Sequence, residues 1–352
     1  MRSEVSSDTP RRSAGTLPGR RVPLPWPEEK EFRILSIDGG GIRGVFPAAF
    51  LAELEHRYLG DSSIANYFDL IAGTSTGGII ALGLAAGLCA SDLRELYISR
   101  GHEVFPPPSG GILALPKNWI GKARRLFKYR YDSESLKRVI ECTLGTRKFG
   151  EAKVRLCIPS ADGKHSEPYI FKTPHHPDYK KDKKEYMTKV AMATAAAPTF
   201  FQPFADSGYI FLDGGLWAND PIMVGLVDSL SCYSIDRAQV RILSIGCGSR
   251  PYIINRKRVR GGLWAWRKII ESAMHLQSSN ALGQAGLLIG RDRITRVDPG
   301  PIGASIELDD WAGAIDTLPR YARKSADRFG PKLSVNMLYQ RADEYRPILE
   351  QA

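Results

Sequence analysis

Residues 69–82 read Asp-Leu-Ile-Ala-Gly-Thr-Ser-Thr-Gly-Gly-Ile-Ile-Ala-Leu. The stretch is an apolar run of strand length, a tight turn, and an apolar helix start. Gly73, Ser75 and Gly77 satisfy G-x-S-x-G, the pattern of a nucleophile elbow. Flanking glycines let strand and helix approach closely around the serine, which exposes its hydroxyl above the end of a sheet. The helix then aims its N-terminal N–H groups at the same point. An elbow needs a strand feeding a helix, so the chain is expected to be α/β. The competing reading is a small-residue turn with no chemistry.

A second run narrows the choice. Ile34-Leu35-Ser36-Ile37 has strand character and enters Asp38-Gly39-Gly40-Gly41-Ile42-Arg43-Gly44. A helix pattern follows through Val45, Phe46, Ala49, Leu51 and Leu54. Successive glycines allow backbone N–H groups to turn toward an anion. Acyl transfer needs such a pocket for the oxyanion of its tetrahedral intermediate. Gly40 and Gly41 are the expected donors, with the Thr76 N–H as the facing wall. Arg43 is assigned either to holding the loop or to neutralising a substrate phosphate; its plain alternative is a surface salt bridge. The same run also fits G-x-G-x-x-G through Gly39, Gly41 and Gly44, a dinucleotide-binding pattern. That reading wants an acidic residue ending the second strand. Here Asp69 begins that strand instead, and a dinucleotide-dependent oxidoreductase ranks low.

The third run is Asp213-Gly214-Gly215, after the strand-like Tyr209-Ile210-Phe211-Leu212. Asp-Gly is ordinary turn chemistry. Beside the other two runs, Asp213 reads as a base whose carboxylate points into a cleft.

In this order, the three runs resemble the patatin-like phospholipase family, as does Ala193-Thr194-Ala195-Ala196-Ala197-Pro198-Thr199-Phe200-Phe201-Gln202-Pro203 before the aspartate. The resemblance covers about residues 32–250. It implies a three-layer α/β/α fold around a central, mostly parallel sheet. It also implies a Ser–Asp dyad, with Ser75 as nucleophile and Asp213 as base. Gly39, Gly40, Gly41, Arg43, Gly44 and Thr76 would form the oxyanion region, and Gly214 and Gly215 the base motif. The implied reaction hydrolyses lipid acyl esters through an acyl-enzyme, with no metal or cofactor. A histidine triad is the rival mechanism, since Ser75, Asp213 and His275 follow the α/β-hydrolase order. His275 lies in a helix-interior pattern, and His102, His165, His175 and His176 have no neighbourhood that marks a base. A partly desolvated carboxylate can replace histidine, and the dyad is preferred.

The chain of 352 residues, 43% hydrophobic, suffices for one sizeable domain. Residues 1–30 read as a flexible arm and 31–350 as the catalytic domain, with 241–350 a basic, mainly helical C-terminal part. The arm could lie on a neighbouring subunit; plain disorder is the alternative. Cys89, Cys142, Cys157, Cys232 and Cys247 are scattered without metal spacing and read as reduced thiols. No apolar stretch reaches a membrane span, and no signal peptide pattern opens the chain. The expected location is the cytoplasm, at the inner face of the membrane. Further elements are expected as helices near Ser91–His102, after Asp132 or Ser133, and over Val190–Ala197, and as strands over Val154–Ile158, Tyr169–Phe171 and Val240–Ile245.

Charge is the remaining signal. Of a net +11, residues 241–300 carry +8, from eleven Arg or Lys against Glu271, Asp292 and Asp298. Arg256, Arg258, Arg260, Trp264, Trp266, Arg267 and Lys268 form its densest part. A second basic and aromatic stretch spans Lys117 to Tyr131. Three readings compete: a solvated face, docking to an anionic bilayer, and a site for a small phosphorylated ligand. Long nucleic acid is disfavoured, because no nucleic-acid-binding motif is present. The layout resembles the patatin-like phospholipase effectors of bacterial antiphage signalling (CBASS). That resemblance implies activation by a cyclic dinucleotide such as cyclic GMP–AMP, attack on the cell's own phospholipids, and a homo-oligomeric active form. The alternatives are a constitutive lipase or esterase of this fold and a catalytically silent nucleotide receptor.

Overall fold

The computed structural model describes residues 9–13, 19–106, 129–248 and 269–348. Among them, eight strands form one sheet. They are β1 (Phe32–Ile37), β2 (Leu70–Gly73), β3 (Arg155–Asp162), β4 (Glu167–Lys172), β5 (Phe204–Asp206), β6 (Tyr209–Asp213), β7 (Val240–Ile245) and β8 (Ile294–Val297). The order is β5-β6-β3-β2-β1-β7-β8, with β4 also on β3. The run β3-β2-β1-β7-β8 is parallel. β4, β5 and β6 join antiparallel.

The alternation of strand side chains builds two cores. Phe32 and Ile34, with Leu70, Ala72 and Ile242, face the helices α7 (Ile222–Cys232) and α8 (Ile269–Ile289). Leu35 and Ile37, with Ile71, Leu243 and Ile245, face α1 (Val45–Tyr58) and α2 (Thr76–Ala85). Over that face also lie α3 (Ala90–Val104), α4 (Ser133–Leu144), α5 (Met187–Thr194) and the long α10 (Trp311–Asn336), which packs along α1. Two short helices are also present among the described residues: α6 (Gly215–Ala218) and α9 (Gly300–Ser305). The fold is α/β, a mostly parallel sheet between helical layers.

Most of the expected elements are present with shifted ends. Asp132 caps α4, its side chain accepting from the Glu134 N–H. Among the described residues the C-terminal part carries the helices α8, α9 and α10 and also β8, which extends the sheet beyond β7. Four residues, Ile-Thr-Arg-Val, give too short an alternation to register as a strand. Within the segment read as an arm, several residues contact the rest of the chain. Arg12 pairs with Asp182 at 2.7 Å, Leu24 N donates to the Cys232 carbonyl at 2.7 Å, and the Trp26 ring packs 4.7 Å from Phe32.

Parallel strands all end on one edge of a sheet, and their following loops meet there. Here the loops after β1, β2, β7 and β8 converge, and they are met by the end of β6.

Candidate active site

Ser75 sits between β2 and α2 with φ 53° and ψ −120°. A positive φ is unfavourable for a residue with a side chain and persists only where neighbours enforce it. The neighbours are visible. The Ser75 N–H donates to Thr194 Oγ1 at 3.0 Å, and Thr74 Oγ1 donates to the Ala218 carbonyl at 2.6 Å. Gly73 and Gly77 bracket the turn, and a Cβ on Gly77 would strike the Ile37 carbonyl. The hydroxyl is thereby aimed across the sheet edge at Asp213.

Ser75 Oγ donates to Asp213 Oδ2 at 2.7 Å, while Oδ1 accepts the Gly215 N–H at 2.6 Å. Asp213 is 5% exposed. Burial pushes its carboxyl up to about 6, against the lowering effect of those two hydrogen bonds. Gly214 turns the chain after Asp213, its N–H donating to the Thr194 carbonyl. One residue, Thr194, thus fixes both the serine turn and the aspartate turn, and its own hydroxyl donates to the Pro159 carbonyl.

The glycine loop lies on the other side of Ser75. The Asp38 N–H donates to the Ile245 carbonyl and the Gly39 N–H to the Asn219 carbonyl, both at 3.0 Å. Gly41 has φ +57°, and a Cβ there would meet the Leu308 carbonyl. That carbonyl accepts the next N–H, of Ile42, at 2.9 Å. Gly39, Gly40, Gly41 and Thr76 line the same cavity as Ser75 and Asp213. Gly44 and Arg43 do not. Gly44 gives room to the Thr76 and Tyr97 side chains. Arg43 reaches the carbonyls of Gly40 and Gly303 at 3.4 Å.

The cavity measures about 240 Å³ and has apolar walls. They include Ile79 of α2, Val104 of α3, Leu136 and Val139 of α4, and Phe200 and Phe201 before β5. No local pattern marked these residues, because their common feature is which way they face. Arg100 also lines the cavity, its charge matched by Glu103 at 2.7 Å.

The histidines are engaged elsewhere or lie in helix. His275 is within α8, as its sequence pattern indicated. His165 pairs with Asp162 at 2.6 Å and His175 with Asp228 at 2.7 Å. Cys157, His175 and Asp228 cluster closely enough to suggest metal ligands. Lys172 Nζ, 2.7 Å from the Asp228 carboxylate, already supplies the positive charge that a cation would bring. Arg256, Arg258, Arg260, Trp264, Trp266, Arg267 and Lys268 lie outside the described residues, as does most of the 117–131 stretch. Of that stretch, Arg130 pairs with Asp309 at 2.6 Å.

A model of the family described as "Patatin-like phospholipase" matches residues 35–226. The chain is similar to the cGAMP-activated phospholipase of Escherichia coli, 33% identical over 80% of this chain and 85% of the relative. It is likewise similar to the cGAMP-activated phospholipase of Vibrio cholerae, 34% identical over 70% of this chain and 74% of the relative. A third protein of that name, from Pseudomonas aeruginosa, is 38% identical over 61% of this chain and 62% of its own length. The match spans the serine elbow, the glycine loop and the Asp213 turn, and the chain belongs to the patatin-like phospholipase family.

Proposed function

We propose that this protein hydrolyses the acyl esters of membrane phospholipids with Ser75 and Asp213 as a dyad. The supporting observation is the 2.7 Å hydrogen bond from Ser75 Oγ to Asp213 Oδ2 beside an apolar cavity. Ser75 Oγ attacks the ester carbonyl and its proton passes to Asp213. The carbonyl oxygen becomes an oxyanion facing the N–H groups of Gly40, Gly41 and Thr76. Collapse expels the lipid alcohol, which takes the proton back from Asp213, and leaves an acyl ester on Ser75. Water then attacks that ester, again giving its proton to Asp213, and on collapse Asp213 passes that proton to the departing Ser75 Oγ as the fatty acid is released. The acyl chain lies along the apolar walls, where each buried methylene contributes about 0.8 kcal/mol. The scheme uses no metal or cofactor.

Control by cyclic GMP–AMP is part of the proposal, supported by the names of relatives 33% and 34% identical over most of this chain. An unregulated phospholipase facing its own membrane would be toxic, so an off state is needed. We assign the protein to the cytoplasmic face of the membrane, as a peripheral, oligomeric antiphage effector. The test is release of fatty acid from phospholipid vesicles by purified protein, with and without cyclic GMP–AMP. Ser75→Ala is expected to abolish release while leaving the fold intact. Release that survives in Ser75→Ala refutes the nucleophile, and equal release with and without the ligand refutes the switch.

A further inference from the structure

Arg296 lies on β8, outside the 35–226 segment that the family model matches. Its guanidinium grips Asp38 as a fork, Nη1 to Oδ1 at 3.0 Å and Nη2 to Oδ2 at 2.6 Å. Nη1 also reaches Asp220 Oδ2 at 3.2 Å and Ser244 Oγ at 2.6 Å. Nη2 reaches Asp298 Oδ2 at 3.4 Å. One cation therefore ties together the segments that follow β1, α6 and β8.

The first carries the proposed oxyanion donors, and the second follows α6, the helix that begins at the Asp213 turn. Asp38 opens the glycine loop, two residues before Gly40. Asp220 follows Asn219, whose carbonyl accepts the Gly39 N–H at 3.0 Å. The fork thus grips the chain neighbours of Gly39 and Asn219, whose backbone hydrogen bond joins the glycine loop to the segment after α6. Asp220 has further anchors, the Ser36 hydroxyl at 3.2 Å and the Ile222 N–H at 2.9 Å. Asp38 is 3% exposed, and among the described residues its carboxylate hydrogen-bonds to Arg296 alone. Burial raises the Asp38 carboxyl, Arg296 opposes that rise and Asp220 adds to it. Without the arginine, a buried carboxylate would lose its charge partner and its geometric reference together.

We infer that Arg296 is a positioning residue: its fork on Asp38 and Asp220 sets where Gly40 and Gly41 present their N–H groups to the oxyanion. The inference rests on the hydrolase reading and adds to it that the C-terminal part completes the site. Oxyanion donors act only on the transition state, so their misplacement lowers kcat and spares KM. Lysine keeps the charge but cannot form the fork.

The test uses the full-length protein with cyclic GMP–AMP present and the soluble ester para-nitrophenyl butyrate, with capture of Ser75 by a fluorophosphonate as a second readout. Arg296→Lys and Asp38→Asn are expected to lower kcat by about tenfold or more, with KM within about twofold of the parent. Fluorophosphonate capture should slow in parallel, since its adduct places an oxygen in the same pocket. Near-UV circular dichroism checks that each variant is folded. A folded Arg296→Lys protein with parental kcat overturns the inference, as does a loss that appears in KM alone. A lower Tm with unchanged kcat shows a purely structural residue and also overturns it. If Arg296→Lys does not fold, Asp38→Asn decides on the same readouts. Parent protein with no Ser75-dependent turnover or capture, both with and without cyclic GMP–AMP, would refute the hydrolase reading itself, an outcome distinct from all of these.

Discussion

Asp213 has to be ionised before it can take a proton from Ser75, and basic enough to hold that proton once taken. Burial supplies the second property by lifting its carboxyl to about 6. Below that pH the group is protonated and cannot accept; above it the carboxylate is ready. The expected kcat/KM therefore rises with pH through a midpoint near 6 and then levels, up to the limit set by protein stability. Asp213→Asn should remove that limb and cost roughly 10²–10⁴-fold in turnover, whereas His275→Ala should change it little. Initial rates of both variants across pH separate a carboxylate base from an imidazole base, and a dead but folded His275→Ala protein overturns the dyad. Gly41 makes a second prediction at this scale. Its φ of +57° and the adjacent Leu308 carbonyl leave no room for a β-branched side chain. Gly41→Val is expected to lose about 3 kcal/mol of transition-state stabilisation, seen in kcat more than in KM. An unaltered kcat would mean that the loop only packs.

At the scale of elements, α4 forms one wall of the cavity through Leu136 and Val139, and Phe201 contributes from the segment before β5. Enlarging Val139 to Phe fills space that a long acyl chain would use. Overpacking of a buried wall costs about 1–3 kcal/mol. The expected result is a selective loss of kcat/KM for long-chain esters, with short esters such as butyrate nearly unaffected. Equal loss for both lengths would show that the acyl chain does not use this wall. The elbow, the glycine loop and the Asp213 turn were legible in the sequence because each is a short run whose residue types answer a local backbone need. The cavity wall was not, since residues from α2, α3, α4 and 198–201 share only a direction in space. Thr194 stood inside a segment singled out by resemblance, yet its hydrogen bond to Ser75 spans 119 positions. Arg296 was hidden twice. It sat on a four-residue strand within a basic region, and its partner Asp38 is 258 positions away. The surplus of positive charge drew attention to the right region for a different reason.

At the scale of the whole molecule, the fold and the proposed switch meet in the C-terminal part. Among the described residues, no helix is long and apolar enough to cross a membrane. A peripheral phospholipase, as proposed, needs a surface that meets phospholipid, and the basic run from Arg256 to Lys268 is a candidate. The same charge suits the phosphates of a cyclic dinucleotide, and the two roles predict different losses. A ligand shifts a two-state enzyme only by its differential affinity, so about 100-fold activation requires about 2.7 kcal/mol of preference for the active form. If Arg256, Arg258, Arg260, Arg267 or Lys268 supplies part of that preference, pairwise neutralisation should weaken activation at fixed cyclic GMP–AMP. Hydrolysis of a small soluble ester by fully activated enzyme should be unchanged. If the residues dock to the bilayer instead, the variants should bind cyclic GMP–AMP normally but lose attachment to anionic vesicles. Parent attachment should then fall as salt shortens the screening length to about 8 Å near physiological ionic strength. Calorimetric titration beside vesicle sedimentation separates the outcomes. Weakened titration with normal sedimentation places the charge at the ligand, and the reverse places it at the membrane. Parental behaviour in both leaves it a solvated face, and the preference for the active form must then arise elsewhere on the chain.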